Sequence, residues 1–423
     1  MPRTVALASN TAWYLHNFRS GLIRTLLERG DRVATLAPSD GYVPRLRDMG
    51  CEVVDLPMDN MGTNPVRDIA TWHHFRRAYR AIGPEVVLHY TAKPMVYGTL
   101  AARSLGIPIV NTVTGLGTAF LRGGPLQTVV QTLYRVALRH SPRVFFQNPD
   151  DLDLFVSRGL VRLEQAGRLP GSGVDLERFA VAPTAQGPAR VFLLVARMLR
   201  DKGIGEFVEA ARGLRRENPG LRFQLLGQLG VANRTAIPRS EVESWVREGS
   251  IEHLGEIDDV RPWIGNADCV VLPSYREGTP RTLLEAAAMG RPIVTTDVPG
   301  CRQVVDDGVT GLLCRARDAT DLAVKIRSIT GMTSEQRQAM GLAGRAKMER
   351  EFDQRIVIAG YLAAIEEALG CCEAKMFAAS RLPGRNKPLA LEDGASADQS
   401  AQCDVLPRAH PSQSCSGGAT ADA

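Results

Sequence analysis

SYREGTPRTLLEAAAMGRPIVTTDVPG, Ser274 to Gly300, is the stretch from which the fold is read. The run ahead of it, DCVVLP (Asp268 to Pro273), is short, apolar and closed by proline, which predicts a buried strand. After a short loop, Thr279 is placed to cap a helix whose first residue is Pro280, where a missing N–H costs nothing. RTLLEAAAM continues with strong helix formers, and Gly290 stops it. Pro292 then leads into a second apolar run, IVTT. The unit is strand–loop–helix–strand, which belongs to a parallel sheet.

Two carboxylates sit within it, Glu277 in the loop and Glu285 on the helix, eight residues apart. Loops leaving the carboxyl ends of parallel strands are where such sheets bind ligands. The helix N-terminus adds unpaired N–H groups and a partial positive charge suited to phosphate. Acids beside an anion site make sense as acceptors for hydroxyl groups, those of a sugar or a ribose. Taken bare, the spacing equally describes two solvated acids on a helix face. In its full context, PSYREGTP followed by LLEAAAMGRPIV, the stretch resembles the donor-site motif of retaining GT-B glycosyltransferases of family 4. That resemblance implies that Glu277 holds the donor sugar's hydroxyls and Glu285 the ribose. It also implies donor binding by Gly278, Thr279 and Pro280.

The chain of 423 residues, 44% hydrophobic and 23% charged, suits a globular enzyme of two domains. No apolar run reaches the roughly 18 residues of a membrane span. The start, MPRTVALASN, lacks the apolar core of a signal peptide and reads as a first strand, so a cytoplasmic protein is expected. Eight cysteines are scattered without metal-ligand spacing, and free thiols are expected, with no metal site. The net charge of +5 is uneven: residues 1–170 hold 20 Lys+Arg against 13 Asp+Glu. No Lys-rich or aromatic-interleaved basic motif points to nucleic acid. An anionic membrane surface or a diphosphate-bearing acceptor fits the excess equally.

Ahead of the central stretch, short apolar runs alternate with amphipathic segments. Strands are expected at 4–8, 33–37, 52–56, 86–89, 109–112 and 144–146, and helices at 18–29, 66–82, 96–105 and 125–140. Alternation restarts at RVFLLVARM, with strands near 223–226, 270–272, 293–296 and 311–313. This pattern predicts an α/β protein with two Rossmann-like, doubly wound parallel-sheet domains facing a cleft. LPGSGVDLERF (Leu169 to Phe179) and APTAQGP (Ala182 to Pro188) break the rhythm between them. The expected division is 1–175 for an acceptor-side domain and 176–352 for a nucleotide-sugar domain. The resembling family sends its last helix back across to the first domain, which places 353–370 there. Residues 371–423, rich in Ala, Ser, Gly, Pro and Asp, read as a disordered tail.

Further residues follow strand ends. In VARMLRDKGIGEF, Arg197 at a strand end and Lys202 before a Gly-containing helix start are either two solvated cations at a turn or a clamp on a diphosphate. In the resembling family this arrangement holds the donor's phosphates. LASNTAWYLHNFRSGLI brings Asn10, Asn17 and Arg19 among Trp13, Tyr14 and Phe18, aromatics that serve either a core or a sugar platform. HYTAKPMVYGTLAAR, with Lys93, and NTVTGLGTAFLRGG, with Thr114 and Gly115, follow later strands in the same way. Together the three resemble a subgroup that adds sugars to polyprenyl-diphosphate-linked acceptors. Many relatives carry a His in the cleft loop that here reads NTVTGLG. His16 and His89 lie near enough to other cleft loops to substitute for it, while a lone His after a strand more often reads as structural. NPDDLDLF places Asp151 and Asp153 in a metal-like triplet that reads as a helix cap.

The resulting expectation is a metal-independent, retaining glycosyltransferase without cofactor. Its donor is a nucleotide-diphospho-sugar, a UDP-sugar first, and its acceptor a lipid-linked saccharide of surface polysaccharide or glycan assembly. Arg197, Lys202 and Glu277 are its catalytic residues, and any membrane contact is peripheral, on the inner face. Two other readings share the fold: a UDP-sugar 2-epimerase type of enzyme, and a non-catalytic nucleotide-sugar-binding protein.

Overall fold

Each apolar run with its amphipathic follower becomes a strand–helix unit in the computed structural model, which describes residues 2–59, 64–116, 125–231 and 233–380. Strands β1 (Thr4–Ala8), β2 (Arg32–Ala37), β3 (Glu52–Asp55), β4 (Val86–Tyr90), β5 (Ile109–Val113), β6 (Arg143–Phe146) and β7 (Ala166–Arg168) form one sheet. Its order is β3-β2-β1-β4-β5-β6-β7, parallel throughout. Strands β8 (Val191–Val195), β9 (Arg222–Leu226), β10 (Glu252–His253), β11 (Cys269–Leu272), β12 (Ile293–Thr296) and β13 (Gly311–Cys314) form the second. That sheet, too, is parallel, in the order β10-β9-β8-β11-β12-β13. Central strands such as β1, β4 and β5 are buried along their whole length, as strands covered on both faces must be. The two expected Rossmann-like domains are therefore present.

The strand orders locate the ligand crevices. In each sheet the direction of winding reverses once, between β1 and β4 in the first and between β8 and β11 in the second. Loops leaving adjacent strands there diverge to opposite faces and leave a crevice at the carboxyl ends. Asn10 and Lys93 follow β1 and β4; Arg197, Lys202 and Glu277 follow β8 and β11. Topology alone thus gathers much of the expected site at two switch points.

The chain crosses between the domains twice, and the crossings pair with each other. Val174 N–H donates to Phe352 O at 2.8 Å, and Gln354 N–H to Val174 O at 3.0 Å. The helix that follows, Gln354–Ser380, buries Val357, Tyr361, Ala364, Ile365 and Ala368 in the core of the first domain. Its backbone stays helical past Gly370, where the sequence reading ended the ordered chain, because CCEAKMFAAS is rich in good helix formers. The rest of the expected tail, 381–423, lies outside the described residues.

The segment read as a linker is strapped down by three arginines, of which Arg291 and Arg337 are buried. Arg345 donates to the carbonyls of Leu176 and Phe179, Arg291 to that of Ala182, and Arg337 to those of Ala185 and Gly187. A guanidinium offers five donors, so one side chain satisfies several backbone carbonyls that no sheet or helix reaches.

Candidate active site

The second domain supplies a cation and a carboxylate that meet. After β8 the chain makes a single 3-10 turn, Arg200–Lys202, ended by Gly203 at φ 70°. A Cβ on Gly203 would lie 1.9 Å from Pro273 O, so only glycine lets this turn press against the end of β11. Ser274 Oγ donates to Asp201 O at 3.1 Å, and Tyr275 N–H to the same carbonyl at 2.9 Å, which stitches the two loops together. Lys202 Nζ and a Glu277 carboxylate oxygen form an ion pair, their side chains 20% and 13% exposed. Ser274 Oγ also reaches that oxygen, at 2.7 Å. Arg197 stands exposed at the end of β8, with no ion pair among the described residues.

The helix expected after Gly278 spans Arg281–Ala288, and its cap differs from the expected one. Pro280 occupies the N-cap position without a side-chain bond. Thr279 instead donates its hydroxyl to Gln147 O of the first domain at 3.0 Å. Packing against the opposite domain has outcompeted the local cap. Thr282 ties the helix to its own sheet, donating to Val195 O at 3.1 Å. Glu285, 8% exposed, accepts from Arg281 Nε at 2.7 Å. Burial pushes its carboxyl pKa up, against the pull of Arg281. The Arg281 guanidinium lies 5.2 Å from the ring centroid of Phe18, across the cleft.

On the first domain the expected acceptor residues divide. Asn10 N–H donates to Thr91 Oγ1 at 3.2 Å, which links the ends of β1 and β4, and Thr91 itself holds a φ of 66°. Asn17 Nδ2 bonds back to Trp13 O at 3.0 Å on a half-exposed helix face. Lys93 pairs with Asp68 at 2.6 Å, and Tyr97 donates to the other oxygen at 2.8 Å. Thr114 and Gly115 reach the second domain directly: the Cβ position of Gly115 lies 3.6 Å from Gly278 N.

Arg19 does not face the cleft. Its helix, Ala12–Glu28, buries Ala12, Leu15, Leu22, Ile23 and Leu26, and Arg19 falls on that same stripe, 2% exposed. It donates to Tyr14 OH at 2.8 Å and lies over the rings of Tyr90 and Tyr361, at 4.2 and 5.2 Å from their centroids. No carboxylate partners it among the described residues, so aromatic faces solvate the charge. Of the neighbouring aromatics, Tyr14 and Phe18 stack on each other at 4.8 Å, while Trp13 is 41% exposed.

The NPDDLDLF stretch of the first domain forms the expected helix start and also reaches the second domain. Helix Pro149–Ser157 is capped by Asn148, whose Oδ1 accepts from Asp151 N–H at 2.8 Å. Asp151 is therefore not the cap; its carboxylate, 1% exposed, pairs with Arg276 of the loop after β11. Asn148 Nδ2 donates to Gly278 O at 2.8 Å and to Glu277 O at 3.4 Å. Asp150 receives Gln303 at 2.9 Å. The N-P-D-D cap signature was visible in the sequence; the partners, more than a hundred residues away, were not. Among the described residues no group of three His, Cys, Asp or Glu side chains converges to hold a metal ion.

Of the two histidines, His89 lies too deep to replace the missing cleft His, whereas His16 is half-buried. His89 is fully buried against Tyr79 OH at 2.7 Å and Asn111 Oδ1 at 3.2 Å, and burial pushes its pKa down to about 3. His16 packs on Tyr42, 5.4 Å between centroids, and burial aided by surrounding arginines lowers its pKa.

Sequence comparisons agree with this architecture. Residues 16–171 match the family model "Glycosyl transferase 4-like domain", and residues 189–331 match "Glycosyl transferases group 1". The chain is 25% identical over 376 residues to the N,N'-diacetylbacillosaminyl-diphospho-undecaprenol alpha-1,3-N-acetylgalactosaminyltransferase of Campylobacter jejuni, covering 85% of this chain and 97% of that one. It is 30% identical over 194 residues to the putative colanic acid biosynthesis glycosyltransferase WcaL of Escherichia coli, 44% of this chain and 47% of the relative. Anabaena Alr3699/HepE, solved with UDP-glucose, superposes with a TM-score of 0.69 at 18% identity, over 86% of this chain and 100% of that one. A glycosyltransferase from Rickettsia africae gives 0.69 at 16% identity, over 87% and 99%. A 4-like match followed by a group 1 match, over two parallel-sheet domains of GT-B type, makes the chain a glycosyltransferase.

Proposed function

We propose that the protein is a retaining, family 4 glycosyltransferase that moves a hexose or N-acetylhexosamine from a UDP-sugar to a lipid-linked saccharide. The observation that carries this reading is the Lys202–Glu277 pair at the switch point of the second sheet. A cation there suits the departing diphosphate, and a carboxylate beside it suits sugar hydroxyls. The sugar C1–O bond to the diphosphate breaks as a new C1–O bond forms to the acceptor on the same face. The acceptor's proton passes to the departing phosphate oxygen, so no protein base is required. Arg197, Lys202 and the helix N-terminus after Gly278 stabilise charge growing on the leaving group, which makes a metal unnecessary. Gly278, Thr279 and Pro280 shape that end of the donor site. Glu277 orients the hexose and Glu285 the ribose.

The acceptor side rests on Asn10, Asn17, Lys93, Thr114 and Gly115, and Arg19, buried in the core, drops out of it. The Campylobacter relative is named for an undecaprenol-diphosphate acceptor, and a polyprenyl-diphosphate-linked saccharide is the acceptor proposed here, in surface polysaccharide assembly. Among the described residues no helix is long and apolar enough to cross a membrane. The proposed contact with the cytoplasmic leaflet is peripheral, through the basic first domain. There Arg135 and Arg139 flank exposed Val129 and Val136 on the helix Pro125–Leu138, and Arg76, Arg77 and Arg80 line another helix. Thermal-shift screening of UDP- and GDP-sugars identifies the donor, and NMR of the product tests the mechanism. An anomeric configuration matching the donor's is the expected result; inversion overturns the retaining assignment.

A further inference from the structure

Tyr275 to Thr279 is irregular backbone, so nothing in its own secondary structure fixes where Glu277 points. Its side chain is held from within the second domain by Lys202 and Ser274. Its backbone is held from the other domain. Asn148, fully buried, supplies the donor for the carbonyls of both Glu277 and Gly278. Arg276, next in the chain, is anchored on the buried Asp151 carboxylate, while its Nε has no partner among the described residues. A Cβ on Gly278 would lie 2.4 Å from Gln147 Oε1 and 2.6 Å from Thr114 O, so the loop lies flush against the first domain. Asn148 and Asp151 are also bonded to each other, Nδ2 to Oδ2 at 3.0 Å.

We infer that Asn148 and Asp151, on the first domain, are positioning residues for Glu277 and so take part in selecting the donor sugar without touching it. The inference rests on the reading of Glu277 as the sugar-holding carboxylate. Glu285 differs in that it stands on a regular helix and pairs within its own turn, with Arg281. Nucleotide binding is then a property of the second domain, whereas sugar selection requires both domains together.

The test uses the full chain and calorimetry with UDP, UDP-glucose, UDP-N-acetylglucosamine and UDP-N-acetylgalactosamine. The readout is the ratio of Kd between the weakest and tightest sugar nucleotide, with Kd for UDP alone as the control for folding. Asp151→Asn and Arg276→Gln are each expected to compress that ratio by about five-fold or more while leaving UDP within about two-fold. In the Glu277→Gln background, Asp151→Asn is expected to add no further compression, because residues acting through one group are not additive. Additive compression, or an equal loss of UDP binding, would mean that Asp151 merely holds the domains together and overturns the inference. An unchanged ratio in both single variants overturns it as well. Should Glu277→Gln itself leave the ratio untouched, the assignment of Glu277 fails first, and the two failures are told apart.

Discussion

Lys202 and Glu277 are each other's counter-ion: the ammonium after β8 and the carboxylate after β11 share one ion pair at the reversal point of the second sheet. Both side chains are mostly shielded from water, and Ser274 is the further bond to the carboxylate. In the proposed reading, a donor entering this site divides the pair, its phosphate turning to Lys202 and its hydroxyls to Glu277. The two residues are therefore coupled before any substrate binds.

Lys202→Ala is expected to lower kcat by about 10²–10³, the usual cost of removing one charge-stabilising donor. Charge on the leaving group grows in the transition state, so kcat should fall more than KM rises. Part of the loss comes from leaving Glu277 without its counter-ion, so the Lys202→Ala/Glu277→Gln double variant should lose less than the product of the single losses. Steady-state kinetics on the four proteins decides it; a folded Lys202→Ala enzyme with full turnover removes Lys202 from the mechanism.

Glu277→Gln and Glu285→Ala should separate sugar from nucleotide. The first is expected to impair recognition of the sugar while leaving UDP affinity nearly intact, and the second to weaken UDP itself. Calorimetry on UDP alone reads the difference, and equal losses in the two variants would collapse the division of roles. Removing Glu285 also frees Arg281, whose ion pair lies partly buried, so a modest drop in Tm should accompany it.

How far the sequence reached can be judged residue by residue. β1 begins at Thr4 and ends at Ala8, as its apolar run predicts, because a strand buried on both faces carries an unbroken apolar signal. β7 and β10, three and two residues long, carry no such pattern; pairing with a neighbouring strand makes them strands. The loop and helix that carry Glu277 and Glu285 are legible because proline and glycine punctuate that unit. The burial of Arg19 was not, since its stabilising rings at Tyr90 and Tyr361 come from β4 and the last helix. Thr279 carried a local cap signal that its bond to Gln147 O overrides, while at Asp151 the cap falls to the neighbouring Asn148 and the carboxylate pairs with Arg276; local propensity carries no information on such distant contacts.

His89 makes a pH prediction with a definite sign. Its folded pKa, about 3, lies below the ordinary 6.5, so between these values the unfolded chain takes up a proton that the folded protein refuses. Stability is unaffected by this group above pH 6.5 and is lost as pH falls below it, by ~1.4 kcal/mol per pH unit. Urea unfolding between pH 7 and 4.5 should show a shallower decline in His89→Gln than in the wild type. Equal slopes would mean that His89 does not stay neutral in the folded protein.

Membrane contact should be electrostatic and reversible. Each basic residue near an anionic leaflet is worth about 1 kcal/mol, screened over a Debye length. The protein is expected to sediment with anionic vesicles at low ionic strength and to leave them at about 0.5 M salt, where that length falls below 5 Å. Absence of binding at low salt, together with preference for a soluble sugar acceptor, would remove the lipid-linked part of the proposal.

The central claim is transfer of a sugar to an acceptor, and acceptor-dependent release of UDP measures it most directly. With the donor found by thermal shift, UDP release should rise steeply when a polyprenyl-diphosphate-linked saccharide is added, with a glycosylated product detected by mass spectrometry. Release at the same rate with and without acceptor, and no product, would contradict the account and favour an epimerase-type reaction on the donor alone.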